Sequence, residues 1–209
     1  MFLAIIRRQK FLALKPTNKK LAIKLLKAGK VGVIPTDTLY GLVGSAMRPL
    51  VVERIYKIKG RFYFKPFIVL IGDKLELLKF GIILSNQTEE IINKLWPGPV
   101  TIVLPSPLVN FRYLDRGKHT IAFRLPADEK LQKFLLATGP LVAPSANPAG
   151  KLPASNFKEA HEYFGDQVDF YLRGMELTGS PSTIVTIINC QLKVLRQGAS
   201  MLELTKFNK

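Results

Sequence analysis

Several stretches of the chain concentrate side chains that can hold an anion. PTDTLYGL, at residues 35–42, follows the apolar run VGVI and carries Thr36, Asp37 and Thr38. IYKIKGRFYFKPF holds Lys57, Lys59, Arg61 and Lys65 with no acid among them. TIAFRLP interrupts an apolar run with Arg124, and GPLVAPSANPAG sets Ser145 and Asn147 just past another. Ser182 in SPSTIV and Arg196 in VLRQG add to these. Hydroxyls and amides bind small polar groups, while guanidinium and ammonium groups bind carboxylate and phosphate, arginine through two parallel hydrogen bonds. The chemistry open to such a set is the orientation and charge neutralisation of anions. Most of these residues also have a plain structural reading. Thr36 and Asp37 suit a turn cap, Lys59 and Arg61 the ragged end of a helix broken at Gly60, and Ser145 a turn hydrogen bond. Arg124 resists such a reading. In an alternating strand it shares a face with Ala122 and Thr120, leaving Ile121, Phe123 and Leu125 for the other. A guanidinium near a sheet centre needs a carboxylate or phosphate partner.

The elements that position these residues follow from periodicity and punctuation. Pro16-Thr17-Asn18 opens a helix with Thr17 or Asn18 as N-cap; Leu21, Ala22, Leu25 and Leu26 form its apolar face and Gly29 stops it. VGVIPT is a strand, RPLVVERIYKIKG a helix with Val51, Ile55 and Ile58 inward, and KPFIVLIGD a buried strand. DKLELLKFG and SNQTEEIINKLWPG are helices, the second capped by Ser85 or Asn86. TIVLPS and TIAFRLP are strands joined by a loop from Pro105 to Lys118. Asp128 starts a helix to Thr138, PLVAPS is a strand, and Ser155-Asn156 caps the helix FKEAHEYFG. STIVTI and LKVLRQG form a hairpin about Asn189-Cys190. Strands and helices mix without strict βαβ alternation. That predicts an α/β chain, α+β-like in its order, with a twisted mixed sheet flanked by helices. No repeat, low-complexity stretch or linker interrupts it. Residues 16–209 read as one domain and residues 1–15 as a basic N-terminal extension.

The 209 residues are 47% apolar, enough for a sizeable core. Lys and Arg number 31 against 15 Asp and Glu, a formal charge of +16 that attracts polyanions. Cys190 is the sole cysteine, which excludes an internal disulfide and a multi-cysteine zinc site. There is no GxxxxGK(S/T) loop, no GxGxxG, no HExxH and no GxSxG; His119 and His161 are isolated. No uncharged apolar run reaches the roughly 18 residues of a membrane span. A cytoplasmic protein without a membrane partner is the expectation.

The order of the motifs is more specific than any one of them. PTDTLYGL, IYKIKGR with a following KP, WPGPVTIVL, TIAFRLP, GPLVAPSANPAG, STIV and VLRQG together resemble the YrdC-like L-threonylcarbamoyladenylate synthase family, from about residue 17 to 198. The resemblance implies a YrdC-like fold around a positively charged cavity. It implies a nucleotidyltransferase that forms threonylcarbamoyl-AMP and pyrophosphate from L-threonine, bicarbonate and ATP. The product would pass to a tRNA threonylcarbamoyltransferase complex for modification of a tRNA adenosine. Mg²⁺ would enter with ATP, with no protein ligand for metal and no organic cofactor. By position, Lys59 and Arg61 match the family's K-x-R and would meet phosphate and transition-state charge. Lys65, Thr120, Asn147, Ser155 and Arg196 match further ATP contacts. Thr38, Arg124, Ser145 and Ser182 match threonine contacts. The chain departs from the pattern at Phe62, where proline is usual, and at Leu70, where some members are polar. The alternative is an RNA-binding YrdC-like module without synthase activity, favoured by the charge and by the aromatic run Phe62 to Phe64.

Overall fold

The computed structural model describes residues 16–60 and 64–203. The basic extension expected over residues 1–15 lies outside them, as does Arg61.

Helix α1 (Lys19–Lys27) begins at Asn18, whose side chain accepts from the Leu21 N–H. Its buried face is narrower than the sequence predicts: Ala22 and Leu26 are buried, but Leu21 is 46% exposed. Strands β1 (Gly32–Pro35) and β2 (Tyr40–Ser45) pair antiparallel, so PTDTLYGL spans the connection between them. Helix α2 (Pro49–Lys59) starts on a proline, which needs no N–H there, and ends on Gly60 in the left-handed conformation. After β3 (Ile68–Leu70), residues Lys74–Phe80 wind as a 3₁₀ rather than an α-helix. Three residues per turn stack Leu77 under Phe80, and both are buried while Leu75 and Leu78 stay outside.

Helix α3 (Asn86–Asn93) takes Ser85 as its cap and leads to β4 (Val100–Pro105). The stretch expected as a plain loop contains a 3₁₀ turn and a short helix, α4 (Arg112–Asp115), because Phe111 and Leu114 are drawn into the core. Then come β5 (Thr120–Arg124), α5 (Glu129–Thr138), the two-residue β6 (Leu141–Val142), α6 (Phe157–Phe164) and β7 (Phe170–Tyr171). Strands β8 (Thr183–Ile188) and β9 (Gln191–Arg196) form a hairpin, with Asn189 and Cys190 both at positive φ in its tight turn.

Among the described residues the strands make one nine-stranded sheet in the order β7-β1-β2-β6-β3-β5-β4-β8-β9. Three of its pairs are parallel, β1/β7, β3/β5 and β4/β8, and the rest antiparallel. The expected mixed sheet flanked by helices is therefore present.

Alternation along the strands separates two apolar layers. Val33, Leu42, Val69, Phe123 and Ile102 face one, with α2, α3 and α6. Ile34, Val43 and Leu70 face the other, packed by Ala22 and Leu26 of α1 and Leu131 and Leu135 of α5. No residue of β4, β5, β8 or β9 belongs to that second layer. Half of one sheet face is thus left without a helical cover among the described residues.

Candidate active site

That uncovered half-face is the floor of a cavity of about 970 Å³. Thr120, Ala122 and Arg124 of β5 line it, with Val103, Ile184 and Arg196 from the neighbouring strands. The alternation read from TIAFRLP therefore turns Arg124 as expected, with Ile121 and Phe123 in the opposite core. Leu70 pairs in register with Arg124 and lines the cavity too, so an apolar side chain stands beside the strand position of the guanidinium.

The β1–β2 connection supplies Arg124 with its partners. Thr36 Oγ1 donates to the Leu39 carbonyl at 2.6 Å and accepts from the Thr38 and Leu39 N–H groups, which folds PTDT into a compact turn. The turn points Thr38 and Asp37 at β5. Arg124 Nη1 donates to Thr38 Oγ1 at 2.9 Å and Nη2 to Asp37 Oδ1 at 2.7 Å. Arg124 Nε, fully buried, has no acceptor among the described residues. Burial lowers the guanidinium pKa; Asp37 opposes the shift, and Arg196 adds to it. Arg124 and Arg196 both line the cavity. Asp37, whose place in PTDT also suits a turn cap, is the carboxylate partner of Arg124.

Arg196 is held by the Ser182 carbonyl at 2.7 Å. The Ser182 hydroxyl lies 2.8 Å from Thr101 Oγ1, both buried. Ser145 Oγ donates to Asn147 Oδ1 at 2.7 Å. Of the expected site residues, Thr38, Thr120, Arg124, Ser145, Ser155, Ser182 and Arg196 line the cavity.

Lys59, Asn147 and Lys65 stand elsewhere. Lys59 is buried, and its ammonium donates to the carbonyls of Ser145 and Asn147 at 2.6 and 2.8 Å and to Asn147 Oδ1 at 3.0 Å. In this structure Lys59 braces the turn that carries Ser145 rather than lining the cavity. Asn147, behind Ser145, donates to the Pro148 and Lys151 carbonyls. Lys65 is exposed; its carbonyl accepts from Tyr56 Oη at 2.8 Å.

The wall near α6 holds residues the sequence reading did not single out. Ser155 was expected to share the helix cap, but Asn156 alone caps α6. Ser155 turns instead to Glu159, and Glu159 and Glu176 both line the cavity. Hydrogen bonds from the Ser155 N–H and hydroxyl hold the Glu159 carboxyl below its ordinary value. FKEAHEYF carries Glu159 at a spacing that reads as solvated helix surface, so only the capping turn gave a signal. Among the described residues, no three His, Cys, Asp or Glu side chains gather so as to hold an ion. No helix there is long and apolar enough to cross a membrane.

A mixed sheet with an arginine-floored cavity on its uncovered half defines an α/β protein with a candidate ligand site on a sheet face. The family model Sua5_yciO_yrdC, described as "Telomere recombination", matches residues 24–198, and the chain belongs to that family. Threonylcarbamoyl-AMP synthase of Pyrococcus abyssi (strain GE5 / Orsay) is 34% identical over 189 residues, 88% of this chain and 55% of that protein. Threonylcarbamoyl-AMP synthase of Nitrosococcus oceani is 32% identical over 162 residues, 75% of this chain and 85% of that protein. The crystal structure of P. abyssi Sua5 complexed with L-threonine matches with a TM-score of 0.79 at 31% identity, over 86% of this chain and 54% of that one. The chain therefore spans about half the length of its Pyrococcus relative.

Proposed function

We propose that this chain is an L-threonylcarbamoyladenylate synthase, a nucleotidyltransferase that makes threonylcarbamoyl-AMP from L-threonine, bicarbonate and ATP. The threonine amine adds to bicarbonate with loss of water, giving a carbamate. A carbamate oxygen then attacks the α-phosphorus of ATP, and pyrophosphate leaves. Both partners in the second step are anions, so their approach needs fixed positive charge and exclusion of bulk water. The observation that carries this reading is the pair Arg124 and Arg196 lining one cavity, with Asp37 as the carboxylate bound to Arg124. An arriving anion would relieve the repulsion between the two guanidinium groups.

On this reading Thr38, Arg124, Ser145 and Ser182 hold L-threonine. Its carboxylate goes to Arg124, which lines the cavity. Thr120, Ser155 and Arg196 meet ATP, with Arg61 and Lys65 from the segment after α2. Lys59 and Asn147 act through Ser145, whose orientation they fix. No protein ligand is assigned to Mg²⁺, which enters with the triphosphate and neutralises part of its charge. The product serves a tRNA threonylcarbamoyltransferase, which places the chain in the cytoplasm with its substrates.

A second reading, RNA binding without synthesis, draws on the lysines of α1, where Lys19, Lys20, Lys24 and Lys27 are all exposed. One experiment separates the two. Purified protein is expected to release pyrophosphate from ATP only when L-threonine and bicarbonate are both supplied. Equal release without threonine would reject the synthase. No release, together with RNA binding that weakens steeply with salt, would favour the second reading.

A further inference from the structure

The cavity has two chemically unlike walls. On the α6 side, the Ser155 N–H donates to Glu159 Oε2 at 2.9 Å and the Ser155 hydroxyl to Glu159 Oε1 at 3.0 Å. Glu176 Oε1 lies 3.4 Å from the same hydroxyl. A serine hydroxyl has one proton, so with that proton on Glu159 it meets a ligand as an acceptor. Ionised carboxylates are acceptors only. Asn156 directs its amide N–H to Ser155 Oγ and Glu159 Oε1, at 3.1 and 3.2 Å. Its Oδ1 takes the Lys158 and Glu159 N–H groups, which removes the α6 terminus as an anion site. This wall repels phosphate and accepts from hydroxyl or amino groups.

The opposite character belongs to Arg124 and Arg196. Arg124 is 4% exposed and lines the same cavity, and its Nε has no acceptor among the described residues. A single segment joins the two walls. Its Leu177 N–H donates to the Ser155 carbonyl at 2.8 Å, and further along its Ser182 carbonyl accepts from Arg196.

We propose that Glu176, beside a Ser155 hydroxyl oriented by Glu159, recognises hydrogen-bond donors of the nucleoside part of ATP. The carboxylates thereby set which way round the nucleotide lies, nucleoside towards α6 and phosphates towards Arg196. The proposal rests on the nucleotide reading above. The donors have two sources, the ribose hydroxyls and the 6-amino group of adenine. Glu176 is exposed, so its replacement leaves the core intact.

The test is calorimetric binding of ATP, 2′-deoxy-ATP, 3′-deoxy-ATP and purine riboside triphosphate to the full chain and to Glu176→Ala. A lost hydrogen bond to a charged group corresponds to about tenfold or more in affinity. Wild type is expected to prefer ATP to at least one analogue by about tenfold, and the variant to lower that ratio to about one. Discrimination against the deoxy analogues assigns the sugar, and discrimination against purine riboside triphosphate assigns the base. ATP binding with no discrimination, or with a ratio unchanged in the variant, would overturn this inference alone. Absence of any ATP binding would overturn the nucleotide reading and this inference together.

Discussion

Arg116 and Arg124 are both buried, 6% and 4% exposed, and each meets one carboxylate: Glu53 at 2.8 Å and Asp37 at 2.7 Å. Their surroundings then diverge. Arg116 follows α4 and lays its guanidinium over the Tyr56 ring, 4.0 Å from the centroid, and Tyr56 in turn stacks on Phe67 at 3.9 Å. Burial disfavours the Arg116 charge, but Glu53 and Tyr56 outweigh it, and the pKa ends above the ordinary guanidinium value. Burial likewise disfavours the Arg124 charge, and there the attraction of Asp37 is opposed by Arg196, so the pKa ends below. Burial of an arginine does not by itself mark a site. An open volume lined by the side chain does. Arg116 is a clamp packed between Glu53 and Tyr56, whereas Arg124 lines an open cavity.

The sharpest way to break this contrast is Arg124→Lys. It keeps the charge but loses the planar fork, and threonine-dependent pyrophosphate release is expected to fall by about 10²- to 10³-fold in kcat/KM. Retained turnover would remove Arg124 from the substrate site. The next effect falls on stability. Arg116→Ala strips Glu53 and Tyr56 of their partner and is expected to cost about 2–4 kcal/mol in denaturant unfolding. The KM for threonine in the folded variant should stay as in wild type; a rise would make Arg116 part of the site.

The smallest effect calibrates the other two against an ion pair at the surface. Asp169 accepts from the Val31 N–H and pairs with Arg54, whose side chain is 38% exposed. Burial would raise the Asp169 carboxyl, but the Val31 N–H, Arg54 and Lys30 hold it below the ordinary 3.8. A depressed carboxyl stabilises the fold above its ordinary range and loses that contribution as pH falls through the folded-state value. Asp169→Asn is therefore expected to cost about 1 kcal/mol near neutrality. Its melting temperature should converge on that of wild type in acid; a gap independent of pH would mean that the charge is not what Asp169 supplies.

Local rules made much of this molecule legible. Asn18, Ser85, Asp128 and Asn156 cap helices as short polar side chains before apolar runs should. The hairpin at Asn189-Cys190 and the mixed sheet followed from turn residues and element order. On the site, alternation alone turned Arg124 to the face of Ala122 and Thr120. What stayed hidden depends on contacts far apart in the chain. The Asp37–Arg124 pair joins the β1–β2 turn to β5, and no local pattern announces it. Lys59 reads as a helix-end cation, yet the left-handed Gly60 ends α2 there and the ammonium reaches the Ser145 turn. Glu159 and Glu176 become neighbours only because both approach Ser155. Arg61, the residue on which the K-x-R resemblance most depends, lies outside the described residues.

Between β5 and β9 lie β4 and β8, so Arg124 and Arg196 start from backbones three strand spacings apart, about 14 Å at ordinary sheet geometry. Each spacing also rotates the next strand by roughly 20–25°. By β9 the ribbon has curled far enough for side chains from its two ends to lean over a common hollow. The irregularity between Ile184 and Val185 adds local twist in that span. The width of the hollow is therefore set by backbone curvature as much as by side chains, and a substitution that flattened the β8–β9 ribbon would spread the two guanidinium groups apart while leaving every binding residue in place.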